Sequence, residues 1–94
     1  MDGEPKIEKM LGRLDFAAWM EKMGFNGKQV GMAGSAIGLA AEGVPGRIYR
    51  GERELSETER LAMAAVRAGL PAWSPQTDQA IADVGAMMGI VKRL

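Results

Sequence analysis

Glycine and proline punctuate this chain at the ends of apolar stripes with helical spacing, which limits it to short helices joined by tight turns. Phe16, Trp19, Met20 and Met23 recur at i, i+3, i+4, i+7; Gly24 follows, and Phe25 suits the apolar contact that closes a helix end. Asp15 stands where an N-cap would, so a helix is expected from there to Met23. Upstream, Ile7, Met10, Leu11 and Leu14 repeat the spacing and suggest a helical lead-in over residues 5–14, with Gly12 as its weak point.

Asn26 with Gln29 three residues on has the form of a capping box, and Val30, Ala33 and Ile37 supply the buried stripe of a second helix. Its small residues (Gly31, Ala33, Gly34, Ser35, Ala36) would let a neighbouring helix approach closely. Gly38-Leu39 is the expected turn, a left-handed glycine followed by an inward apolar residue. In the third segment Val44 and Ile48 could face the core while Arg47 and Arg50 project outward. Gly43, Pro45 and Gly46 suit a helix interior poorly, so this helix is expected to start near residues 41–44 and to end by Gly51.

Ser56 and Glu59 form a second capping box, with Glu54 and Glu57 near the favourable dipole end of a fourth helix. There Leu61, Ala65 and Ala68 line one strip, with Met63, Val66 and Leu70 beside it, and Gly69 closes it. Ser74-Pro75 is expected to open a fifth helix carrying Ile81, Val84, Met88 and Val91 at 3-4-3 spacing, with Lys92 and Arg93 at its negative end. Trp73 is expected to plug the gap between the last two helices. No stretch alternates as a strand would. The expectation is an all-α bundle of about five short helices: a lead-in over 1–14, a core over 15–70, and a C-terminal helix over 71–94.

Composition narrows function by exclusion. The 94 residues include neither cysteine nor histidine, which removes thiolate chemistry, disulfides, and the commonest general base and metal ligand. No cofactor or metal is implied, and no acid pair sits beside a nucleophile or base, so no enzyme is expected. No apolar run reaches a bilayer span, and the charged start MDGEPKIEKMLGRL lacks the apolar stretch of a signal peptide, so a cytoplasmic protein without membrane contact is expected. Twelve basic and twelve acidic residues cancel, yet residues 26–53 carry Lys28, Arg47, Arg50 and Arg53 against only Glu42 and Glu52.

Residues 26–53 therefore read as a short helix, a tight turn and a second helix ending in arginines. Ile37-Gly38-Leu39-Ala40 at the turn, Val44 and Ile48 on the following helix, Arg50-Gly51-Glu52-Arg53 at its end and Leu55-Ser56-Glu57 beyond resemble the Cro/repressor-type helix-turn-helix domains, over roughly residues 15–70. Two departures stand out. Ala40 and Ala41 provide no capping oxygen after the turn, and glycines and a proline replace side chains that would read base edges.

The resemblance implies a small sequence-specific regulator, repressor-like, with its third helix in the major groove of double-stranded DNA. Its implied contact residues here are Lys28, Gln29, Glu42, Arg47, Tyr49, Arg50 and Arg53. Each has a plainer alternative: the arginines as a solvated face beside Glu52 and Glu54, Gln29 as a cap alone, Tyr49 as half-buried packing. A homodimer is implied as well, through Ile81, Val84, Met87, Met88 and Val91, with packing onto the first and fourth helices as the alternative. The neutral charge and glycine-softened third helix keep a rival open, a helical protein–protein interaction module that retains the scaffold without DNA readout.

Overall fold

The computed structural model describes the backbone of residues 3–89 and the side chains of residues 7–89. Among these residues the chain is all-α. Helix α1 (Gly3–Met23) leads through a 3-10 turn (Gly27–Gln29) into α2 (Val30–Ala36); α3 (Val44–Tyr49), α4 (Glu57–Arg67) and α5 (Asp78–Met88) follow.

The core collects one face of α1 (Phe16, Trp19, Met20), Ala33 and Ile37 from α2 and its end, Ile48 from α3, Leu55 from the connection, and Met63 from α4. The Phe16 and Trp19 rings stack with centroids 5.9 Å apart, and the Trp19 indole donates to the Met63 carbonyl at 3.0 Å. That bond satisfies a buried polar group and ties α4 to α1 across the core.

α1 departs from the sequence reading. The expected lead-in and first helix are one unbroken helix of 21 residues, with Asp15 exposed at mid-helix rather than capping it. Gly12 is a contact here and not a weak point: a Cβ there would lie 3.0 Å from both the Leu55 backbone nitrogen and Cβ, so the bare position lets the α3–α4 connection settle on the helix. Ile7, Met10, Leu11 and Leu14 are exposed, although they share the spacing of the buried stripe. At about 100° per residue, Leu14 and Phe16 stand roughly 200° apart on the helix, which places the two stripes on opposite sides.

In α4 the inward positions are Glu59 and Met63, with Ala62 and Val66 half-buried, while Leu61 is 62% exposed and Ala68 is exposed. The inward side follows the spacing Glu59, Ala62, Met63 and Val66, and Glu59, the second member of the capping box, meets Arg53 there. α5 starts at Asp78, later than expected. Ser74 and Thr77 bond reciprocally, Ser74 N–H to Thr77 Oγ1 at 2.9 Å and Thr77 N–H to Ser74 Oγ at 3.2 Å, and hold residues 74–77 in a separate turn. Trp73 is 64% exposed and donates to Asp78 Oδ1 at 2.9 Å; it rims a groove between α4 and α5 rather than plugging it. Ile81 and Val84 are half-buried, Met87 and Met88 are exposed, and Val91, Lys92 and Arg93 lie outside the described residues. No helix is long and apolar enough to cross a membrane among the described residues.

Candidate nucleic-acid interface

The stretch from Asn26 to Arg53, two short helices joined by a turn, is assembled from local signals. Asn26 Oδ1 accepts the Lys28 N–H at 2.9 Å and Gln29 Oε1 accepts the Asn26 N–H at 2.9 Å, completing the foreseen capping box. Gln29 is thus engaged as a cap, whereas Lys28 is exposed at the start of this segment. At the end of α2, Gly38 adopts φ 85° and the Leu39 N–H reaches back to the Gly34 carbonyl at 2.9 Å, which turns Leu39 toward the core.

α3 is only six residues long and has Gly43 in left-handed conformation (φ 83°) at its N-cap position, with no side-chain oxygen closing the first turn. Such a helix is marginal alone. Tertiary contacts hold it: Ile48 is fully buried, Val44 and Tyr49 pack against the core cluster, and Pro45 is buried against Gly34 of α2. The small-residue approach foreseen in α2 is this contact. Beyond α3, Gly51 is left-handed and the Glu52 N–H returns to the Arg47 carbonyl at 2.7 Å, a second glycine-based helix ending.

The three arginines of this stretch meet three fates. Arg47 is exposed and has no ion pair among the described residues. Arg50 is exposed but bridges Glu52, Nε to Oε2 at 2.9 Å. Its guanidinium holds the Glu52 carboxyl below the usual carboxylate range, and Arg47 adds to the effect. Arg53 turns inward: NH1 and NH2 fork onto the two Glu59 oxygens at 3.0 and 2.9 Å, and NH1 also bonds the Glu54 carbonyl at 3.1 Å. It is therefore not an outward contact but the clamp that positions α4. Hydrogen bonds from Arg53, and next from the Ser56 backbone N–H, lower the Glu59 carboxyl against the opposing effect of burial.

Of the remaining contact candidates, Glu42 is exposed in the turn before α3, and Tyr49 is half-buried with its hydroxyl lying over Gly27. Lys9 and Arg13, one turn apart on α1, were not singled out from sequence, yet with Met10, Arg50 and Gly51 they line a cleft at the end of α3. The i, i+4 spacing of the two cations was visible in sequence; their meeting with Arg50 depends on how α1 and α3 pack. Arg47 and Arg50 both act on Glu52, and Arg50 also lines the cleft with Lys9 and Arg13. No group of acids suited to a metal ion occurs among the described residues. Compared with family models, curated proteins and solved structures, the chain matches none.

Proposed function

We propose that this chain binds double-stranded DNA as a small helix-turn-helix regulator that grips the phosphate backbone more than it reads base edges. The observation that carries this reading is Arg47, an exposed guanidinium with no ion pair among the described residues, on a helix whose other side is anchored by Ile48 and Pro45. An arginine fork presented from a rigid element suits phosphate oxygens. The neighbouring positions Gly43, Val44 and Gly46 offer no side-chain donor, so base discrimination from α3 is weak. A homodimer paired through the C-terminal helix (Ile81, Val84, Met87, Met88) would present two such helices to a two-fold site and act as a repressor in the cytoplasm.

The test is binding to duplex DNA measured between about 50 and about 200 mM salt. Replacing Arg47 with alanine should lower the slope of log affinity against log salt by about one and weaken all sequences nearly uniformly. Absence of any salt-sensitive binding by the unaltered chain would overturn the reading.

A second reading has its own observation. The exposed stripe Ile7, Met10, Leu11 and Leu14 gives α1 an apolar side facing away from the core, and contiguous exposed apolar surface is characteristic of protein contact. Under that reading the chain is a helical interaction module. Leu11→Lys would then abolish partner capture while leaving DNA affinity no weaker.

A further inference from the structure

The end of α3 does more than terminate a helix. Gly51 turns the chain back with φ 77°, and a Cβ added there would lie 3.3 Å from Arg13 Cδ, so the stem of Arg13 rests across the bare turn. Lys9 stands one turn earlier on the same side of α1, and Arg50, whose guanidinium lies against Gly46 and Glu52, lines the other wall. Together with Met10 these residues line an open cleft of about 470 Å³.

Charge in this cleft is unbalanced. Glu52 is the acid bonded to any of the three cations among the described residues; it engages Arg50 through Nε at 2.9 Å and more loosely through NH2 at 3.4 Å. Arg50 NH1 makes no bond to that carboxylate, and neither Lys9 nor Arg13 has an ion pair among the described residues. Three like charges line one recess and only Arg50 is paired among the described residues, so an anion entering there would meet uncompensated positive charge. The donors available are an ammonium and planar guanidinium edges, a set matched to tetrahedral oxyanions. Gly51 contributes no side chain to fill the space.

The geometry points to a phosphate-binding cleft formed by Lys9, Arg13 and Arg50. Its source is a backbone phosphate of the duplex that Arg47 contacts, a clause that rests on the DNA reading above; a free phosphate compound is the other source of the same chemistry. Arg50 belongs to both surfaces, so a strand held at Arg47 would continue toward α1.

Two arms test this. In the first, duplex binding is measured against salt for the unaltered chain, Arg13→Ala, Arg13→Gln and Arg13→Lys, with far-ultraviolet circular dichroism confirming the fold. Arg13→Gln keeps the stem over Gly51 and removes only the charge. Both neutral variants should lose about one unit of salt slope, and Arg13→Lys should retain it. In the second arm, inorganic pyrophosphate is titrated while the Gly51 backbone amide is followed by nuclear magnetic resonance; the expected shift should vanish in Arg13→Gln. An unchanged slope in the neutral variants, with Arg47→Ala still lowering it and no pyrophosphate response, would overturn the cleft and leave the DNA reading standing. A Gly51 shift that depends on Arg13, in a chain that binds no duplex, would keep the cleft as a site for a free phosphate compound and remove the DNA reading.

Discussion

Pro45 of α3 is seated on the backbone of Gly34 in α2 so closely that a Cβ at Gly34 would lie 2.6 Å from Pro45 Cβ and closer still to Cγ. The two residues form a lock. Proline in the first turn of α3 fixes its own backbone at little cost, and the missing side chain on α2 lets the ring enter. α3 needs this contact because its six residues and uncapped start cannot sustain it alone.

Gly34→Ala separates packing from propensity. Alanine is the better helix former by about 1 kcal/mol, yet here the added methyl forces α2 and α3 apart, and overpacking of this kind costs about 1–3 kcal/mol. The variant should have a lower midpoint in urea. Gly31→Ala is the matched control, since a Cβ there meets nothing within 4 Å, and it should raise the midpoint. Equal effects of the two substitutions would show that the Gly34–Pro45 contact does not govern α3.

Arg60 and Asp15 make the shortest ion pair among the described residues, NH1 to Oδ2 at 2.6 Å, joining α4 to the middle of α1. Both side chains are substantially exposed, so solvent screens the pair and its contribution is modest. A double-mutant cycle with Asp15→Asn and Arg60→Gln should give a coupling of at most about 1 kcal/mol, shrinking in high salt. A larger, salt-insensitive value would mean that this bridge sets the position of α4.

Features encoded within a few residues were legible in the sequence. Both capping boxes, the Gly38-Leu39 turn and the inward placement of Ile48 stand as read, because each depends on neighbours along the chain. What failed depended on partners distant in sequence. Gly12 reads as a helix weakness until Leu55 is seen lying against it. Asp15 reads as a cap, since nothing local reveals Arg60, and Leu61 reads as core although the inward side of α4 carries Glu59 and Met63. The site divides in the same way. The exposure of Arg47 follows from helical spacing, whereas the inward turn of Arg53 and the lining of one cleft by Lys9, Arg13 and Arg50 are products of tertiary packing.

The two tryptophans should report different parts of the fold. Trp19 is 8% exposed and bonded to Met63, whereas Trp73 is 64% exposed and bonded to Asp78 outside the core cluster. Acrylamide quenching should therefore resolve an accessible and a protected population. Trp73→Phe should remove the accessible one without changing the unfolding free energy by more than about 0.5 kcal/mol, the usual range for surface changes. Strong quenching of the remaining signal in the folded variant would contradict the placement of Trp19.

Acid should act on this fold through Glu59. Its carboxylate receives both arms of Arg53 and the Ser56 N–H, which lower its folded-state titration below the unfolded value of about 4.3. A carboxyl lowered in this direction adds stability that is fully present above its unfolded value. That stability is lost as pH falls through the unfolded value toward the folded one, because the unfolded chain takes up the proton first. Glu59→Gln preserves the shape and the reciprocal cap but removes the charge. It should be less stable than the unaltered chain by about 1–2 kcal/mol at neutral pH, in the lower range for a charged hydrogen bond because Arg53 stays 33% exposed. The gap should hold down to about pH 5 and narrow steadily below it, as urea titrations at several pH values would record. A gap that stays constant into strong acid would show that the geometry of the cap, rather than the charge on Glu59, holds the start of α4.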